Sequence, residues 1–269
     1  MDDPKAVDRN HMQIDRLTAF VSDVHLSDQD PATAHYFFTQ LAACKGKISK
    51  LIVLGDLFDT WVGDDCVDDT PAGQLAASTF TLFKSLACPV YFCAGNRDFL
   101  LGVDQSGSKG STAFGMQLLV EQTTATFTVN GDQAFNVLLC HGDEFCLDDK
   151  VYQQVRKTLR SELWQKQFLS KSLVDRRTQA LHMRAQSRQE QIGKPSDIMD
   201  VNSLAVAHAF SDSEVSLIIH GHTHRPKQHD DSHSTRVVLP DWDAATQRGQ
   251  VYFISSEIAD RYAHSAQHR

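Results

Sequence analysis

The chain has 269 residues, 41% hydrophobic and 22% charged, enough for one large domain and ordinary for a globular protein, which excludes collagen-like and wholly unfolded chains. No apolar run approaches the ~18 residues of a spanning helix, so no transmembrane segment is expected. The net charge of −8 is uneven: residues 150–194 hold eleven Lys and Arg against three acids, a local +8 that leaves −16 on the rest. A polyacidic body disfavours nucleic acid as a partner, whereas the basic segment suits a phosphate or an anionic lipid surface.

In chain order, residues 1–16 carry early acids and lack the apolar core of a secretory signal, so they read as an N-terminal extension of a cytoplasmic protein. LTAFV (17–21), KLIVL (50–54) and CPVYFC (88–93) read as buried strands, with helices expected over 32–44 and 73–87 between them. That alternation predicts an α/β fold with a largely parallel sheet. After residue 120, TATFTV, NVLLC, VSLIIH, TRVVLP and QVYFIS suggest a second run of strands packed on the first. Residues 146–200 differ: Tyr152, Val155, Leu159, Leu163, Phe168, Leu169, Leu173 and Val174 recur at helical spacing among basic residues, which predicts two or three amphipathic helices as an insert. The expected division is therefore a core over 17–145 and 201–260, the insert over 146–200 and a tail over 261–269. The six cysteines lack CxxC spacing and read as reduced, buried thiols.

Polar residues follow the strands at once, where open α/β sheets place their sites. These are Ser22-Asp23-Val24-His25, Gly55-Asp56-Leu57-Phe58-Asp59, Gly95-Asn96-Arg97-Asp98, His141-Gly142-Asp143 and Gly221-His222-Thr223-His224. One such motif is weak, but five in a row predict a metal site. Asp23, His25, Asp56, Asn96, His141, His222 and His224 are too many ligands for one ion, so two ions sharing a carboxylate are expected, suited to hydrolysis of a phosphate ester or anhydride. Oxygen and nitrogen donors without thiolate favour Mn²⁺, Fe²⁺, Co²⁺ or Zn²⁺ over Ca²⁺.

Asp23-x-His25, Gly55-Asp56, Gly95-Asn96, His141 and Gly221-His222-x-His224 resemble, in order, the motifs of calcineurin-like metallophosphoesterases over about residues 17–255. The resemblance implies a double β-sandwich flanked by helices (αββα). The stretches from Gly95 to Gly102, from Ile198 to Asn202 and from Ile219 to Pro226 look like the branch of that family acting in lipid A synthesis, and the insert becomes a helical substrate lid. The implied activity is hydrolysis of the pyrophosphate of UDP-2,3-diacylglucosamine to UMP and 2,3-diacylglucosamine 1-phosphate by a monomer at the cytoplasmic face of the inner membrane. The implied cofactor is two Mn²⁺ per chain: Asp23, His25, Asp56 and His224 hold one ion, and Asp56 as the bridge with Asn96, His141 and His222 holds the other. Asn96, Arg97 and His222 are the implied catalytic residues and also contact substrate phosphates. Asp149, Tyr152, Arg184, Ser187, Gln191 and Lys194 are the implied substrate contacts from the insert. Gln191 stands where Asn is expected, and Leu239-Pro240-Asp241-Trp242-Asp243 departs from the Gly-Ala-Trp-His form of other members.

Arg97 stays charged and donates only hydrogen bonds, so it cannot protonate an alkoxide as a histidine would. A phosphate monoester needs no such help to leave, so Arg97 favours a pyrophosphate substrate. His220 reads as a satisfied buried histidine and His182 as a surface residue. Asp59, Asp64 and Asp65 read as supporting or solvated groups, and Asp98 and Asp143 as orienting Arg97 or the histidines. Leu169 and Leu173 are expected to meet acyl chains or the bilayer instead of the core. Other pyrophosphatases and a metal-stabilised binding module are the competing readings, the latter disfavoured because all seven ligand positions are filled.

Overall fold

The computed structural model describes residues 12–129, 133–192, 198 and 200–263, with the side chains of Glu190, Gln191 and Ala263 outside that set. The first strand, β1 (Met12–Ile14), pairs parallel with residues 125–127, so the expected extension is corrected: residues 12–16 belong to the fold. Its inward faces are only Met12 and Ile14, too short a pattern to read from sequence.

Next come β2 (Thr18–Val21), α1 (Pro31–Ala42), β3 (Lys50–Leu54), α2 (Pro71–Ser85) and β4 (Val90–Cys93), the expected alternation. Both helices begin where the chain dictates: Asp30 and Thr70 accept hydrogen bonds from the N–H groups of Thr33 and Gly73, and a proline follows each cap, where its missing donor costs nothing. With β5 (Thr112–Ala113) and β6 (Met116–Leu118) these strands form a five-stranded sheet of order β2-β3-β4-β6-β5, parallel except for the β5–β6 pair.

The larger sheet follows: β7 (Gln122–Val129), β8 (Gln133–Cys140), β9 (Leu217–His220), β10 (Lys227–Asp230) and β11 (Thr235–Val238) join β1 in the order β1-β7-β8-β9-β11-β10. Between β8 and β9 run α3 (Lys150–Leu159), α4 (Glu162–Leu169) and α5 (Leu173–Gln191), the three insert helices, and then α6 (Ser203–Ser213); α7 (Ser256–Ala263) is the last element of the described residues. QVYFIS is corrected: instead of a strand it contributes one antiparallel bridge, Phe20 to Tyr252. The expected tail begins inside α7, whose Tyr262 is buried.

Alternation within strands assembles the layers. Phe20, Ile52 and Leu54 point inward against Phe127, Val137, Leu139, Leu217 and Ile219 of the facing sheet. Ala19, Val21, Leu51 and Val53 turn the other way, onto α1 and α2. Leu138 and Ile218 pack outward with Ala209 of α6. The result is helix, sheet, sheet, helix. Leu169 is 6% exposed and belongs to the core under the smaller sheet, and Leu173 packs against it. Their expected contact with acyl chains or a bilayer is thereby corrected, because α4 docks on the core through Phe168 and Leu169. Cys93, Cys140 and Cys146 are buried and Cys44, Cys66 and Cys88 half-buried, all unbridged.

Candidate metal centre

The carboxyl ends of β2, β3, β4, β8 and β9 deliver all seven expected ligands to one place. Asp23, His25, Asp56, His222 and His224 all have left-handed backbone, with φ between 51° and 67°. Non-glycine residues seldom adopt this conformation, and its concentration here marks strain held by the surrounding fold. Two glycines make room: a Cβ on Gly95 would lie 2.1 Å from Asp56 Oδ1, and one on Gly221 2.0 Å from Asp23 Oδ2.

The donors fall into two groups. In one, Nε2 of His25 and Nε2 of His224 face each other at 3.2 Å, and Asp23 Oδ1 lies 3.9 and 3.4 Å from them. In the other, Asn96 Oδ1 lies 3.1 Å from His141 Nε2 and 3.0 Å from His222 Nδ1. Asp56 stands between: Oδ2 is 3.8 Å from His25 Nε2 and Oδ1 is 3.6 Å from His141 Nε2. Tautomers follow from the outer partners. His141 Nδ1–H donates to the Leu54 carbonyl at 2.9 Å, which turns Nε2 into the site. Ser22 Oγ donates to Asp23 Oδ2 at 2.6 Å, and the His222 N–H donates to the same carboxylate at 2.9 Å.

The electrostatics fit a cation. Asp23 and Asp56 are 0% and 2% exposed, and histidines pair with their carboxylates within 4 Å: His25 and His224 with Asp23, His25 and His141 with Asp56. Burial raises the carboxyl of Asp56, an effect that His141 opposes and Asp23 reinforces. Burial also pushes Asp23 up, but His224, His141 and His25 outweigh it and hold Asp23 below the usual carboxylate range. Burial lowers His25 to about 4 and His222 to about 3, so both are neutral donors. His141 is pulled down by burial, yet Asp56 and Asp23 raise it to about 9. A divalent ion would relieve the same carboxylates that hold that proton. Hard and borderline donors without thiolate suit a divalent transition ion.

A cavity of about 490 Å³ opens from this cluster. His25, Asp56, Asn96, Arg97, His222 and His224 line its polar end, and Val155, Leu159, Trp164, Phe168 and Met183 of the insert its apolar side. The Nε atoms of Arg97 and Arg184 are buried without a partner. The other nitrogens of Arg184 grip Asp59, with Nη2 2.6 Å from Oδ1. Asp149 caps α3 through the Tyr152 N–H, and the Tyr152 hydroxyl donates to Asp143 Oδ2 at 2.7 Å while its ring stacks on His222. Ser187 also lines the cavity. Gln191 belongs to the last turn of α5, its side chain outside the described set, and Lys194 lies outside the described residues altogether.

Asp98 and Asp143 have other partners than expected. Asp98 accepts from the N–H groups of Gly95 and Leu57 at 2.9 and 2.7 Å, holding two ligand loops together by their backbones. Asp143 binds Tyr152 and Arg156. Asp64 accepts from Trp61 Nε1, Asp65 pairs with Arg176, and His182 is exposed. His220 is buried, donates from Nδ1 to the Gly221 carbonyl and accepts from Arg236 at 3.0 Å. The sequence gives no role to Arg160 or Asp241: Arg160 is one basic residue among eleven, and Asp241 stands out only as part of the 239–243 segment that departs from the form of other family members.

The model of the family "Calcineurin-like phosphoesterase" matches residues 17–226. Similar proteins include the UDP-2,3-diacylglucosamine hydrolases of Bordetella pertussis (38% identical, 82% of this chain and 84% of that one), Chromobacterium violaceum (41%, 83% and 89%) and Haemophilus influenzae (36%, 83% and 89%). The strand-end cluster, the match across most of the chain and relatives at these identities lead to one conclusion: the chain belongs to the calcineurin-like phosphoesterase family.

Proposed function

We propose that the chain hydrolyses the pyrophosphate bond of UDP-2,3-diacylglucosamine, releasing UMP and 2,3-diacylglucosamine 1-phosphate. The observation that carries this reading is the cavity itself, lined by five of the seven metal-type donors, His25, Asp56, Asn96, His222 and His224, and by an apolar wall of insert side chains. A diphosphate linked to an acylated sugar has the same two-part chemistry. The relatives named above are hydrolases of this compound.

Two Mn²⁺ ions complete the reading. Asp23, His25 and His224 would hold one, Asn96, His141 and His222 the other, and Asp56, whose two oxygens face opposite imidazoles, would be shared between them. When bound, such ions polarise a phosphoryl oxygen and lower the pKa of a water. The protein does the rest. Arg97, with its unpartnered Nε, binds and orients the diphosphate, joined by Asn96 and His222. The leaving phosphate carries its own negative charge away, so no side chain has to protonate it. From the lid over 146–200, Asp149, Tyr152, Ser187, Gln191 and Lys194 contact the sugar, acyl chains or phosphate, and Arg184 exchanges Asp59 for a substrate phosphate. Arg156, Arg160, Arg176, Arg177 and Arg184 pair with acids outside the insert, so its exposed Lys150, Lys157, Lys166, Lys171 and Arg188 seat the monomer on an anionic lipid surface, the cytoplasmic face of the inner membrane.

The test is turnover of UDP-2,3-diacylglucosamine, an acyl-free UDP-sugar and a simple phosphodiester by metal-stripped protein before and after Mn²⁺ is restored, with products identified by mass. Metal-dependent release of UMP, fastest from the diacyl compound, is expected. Equal turnover of all three, or full activity after chelation, would overturn the reading.

A further inference from the structure

His25 and His224 turn their Nε2 atoms toward each other, which points both Nδ1 atoms away from the site. An imidazole that meets a cation through Nε2 carries its proton on Nδ1, and the acceptor of that proton fixes both tautomer and ring plane. For His224 the facing atom is Oδ2 of Asp241, 3.5 Å from Nδ1. Asp241 is 7% exposed and lies in the loop after β11, which is tied to two ligand loops. The Trp242 N–H donates to the carbonyl of Asp23 at 3.2 Å, and the Leu239 N–H to the carbonyl of His220 at 2.7 Å. Arg248 holds the carboxylate in turn, with Nη2 2.8 Å from Oδ2 and Nε 2.7 Å from Oδ1. His25 has a looser version of the same arrangement, its Nδ1 4.0 Å from Asp59 Oδ1.

We propose that Asp241 is a positioning residue for His224: it receives the Nδ1 proton, keeps Nε2 directed at Asp23 and His25, and makes the imidazole a stronger donor to a cation. This inference rests on the cluster being a metal centre. Arg248 supplies the positive charge that offsets the burial of the carboxylate, and the neighbouring bridge between Asp243 and Arg248 keeps that arginine in place. The competing possibility is that Asp241 serves only as a partner for Arg248, stapling the loop.

Titration of Mn²⁺ into metal-stripped full-length protein by calorimetry separates the two. The wild-type chain should bind two ions. Asp241→Ala should weaken one of them by about 10–100-fold, the usual loss when the partner of a ligating histidine is removed. Asp241→Asn keeps an oxygen for Nδ1–H but loses the charge that Arg248 needs, so it should recover most of that affinity. Arg248→Met keeps the carboxylate that accepts from Nδ1–H, so its Mn²⁺ affinities should stay well above those of Asp241→Ala. If wild type binds no Mn²⁺, the metal centre itself is refuted. If wild type binds two ions and Asp241→Ala binds them equally well, or if Asp241→Asn is as weak as Asp241→Ala and Arg248→Met matches both, then Asp241 is a loop staple and the inference falls. Thermal unfolding of each variant accompanies the titration, and should Asp241→Ala fail to fold, the Asn and Arg248 variants still decide between the two.

Discussion

Arg160, the C-cap of helix α3, reaches across to the core and donates from Nη2 to the carbonyl of Gly95 at 3.0 Å, one residue before Asn96. Its Nη1 pairs with Glu121 at 3.0 Å, and its guanidinium lies over the ring of Phe99. The insert is thus wired directly to a loop that carries a candidate ligand.

Loss of this donor leaves a carbonyl without its charged partner, at a typical loss of about 1.5–3 kcal/mol. Arg160→Met should lower the urea midpoint accordingly and reduce kcat more than it raises KM, because the loosened loop positions Asn96. An unchanged kcat would show that the loop holds its shape without α3.

Arg97 offers a test of leaving-group chemistry. Its backbone N–H donates to Asp56 Oδ1 at 2.8 Å, a contact that side-chain substitutions preserve. Arg97→Ala should therefore keep both metals and lose at least about tenfold in turnover, the loss of one charge-assisted contact. Arg97→His introduces a group able to protonate an alkoxide, so the ratio of alkyl phosphodiester to pyrophosphate turnover should rise. A constant ratio would mean that Arg97 has no part in that preference.

Glu144 sets a pH dependence of stability. Burial, reinforced by the charge of Asp143, raises it to about 7, and its Oε1 has no partner. The unfolded chain releases this proton near the ordinary glutamate value of about 4.3. Between the two values the folded protein binds more protons, so the stabilisation is complete below the lower value and is lost as pH rises through about 7. Glu144→Gln, which is neutral throughout, should flatten that part of the profile of unfolding midpoint against pH. Parallel profiles for the two proteins would place the titrating proton elsewhere.

The insert separates packing from substrate contact. Leu169→Asp buries a carboxylate in the core and should cost several kcal/mol, lowering activity on every substrate as the chain unfolds. Val155 is 44% exposed and lines the cavity, so Val155→Asp should spare stability and raise KM for the diacyl substrate by about tenfold, the worth of a small apolar contact. An acyl-free UDP-sugar should be hydrolysed as before. Equal effects on both substrates would remove Val155 from any acyl-binding role.

The strands that carry ligands were legible because each is an apolar run ending in a polar turn, with a glycine in every turn but the one after β2. Four of the five, β2, β3, β4 and β9, begin within about two residues of the expected positions. Strands β5, β6 and β10 escaped notice for the opposite reason: each is four residues or fewer, and β10 is almost wholly exposed, so no buried face repeats. QVYFIS misled because Ile254 and Tyr252 do contact the core between the sheets, but by packing instead of by a ladder of hydrogen bonds. Leu169 and Leu173 misled because an amphipathic period names the buried face and not what buries it. Asp241 could not be found by spacing, since what joins it to His224 is the return of the chain from β11.

The hydrogen bond from the His222 N–H to Asp23 spans 199 positions of chain, and the one from the Arg97 N–H to Asp56 spans 41. Contacts so remote in sequence close late, after the loops between them have been drawn in. In a zinc finger the ion organises a chain that has little else to fold around. Here two sheets and three apolar clusters supply the core, and the donors meet only once those layers have come together. The donor cluster is thus a product of the finished fold and not the seed around which the fold forms.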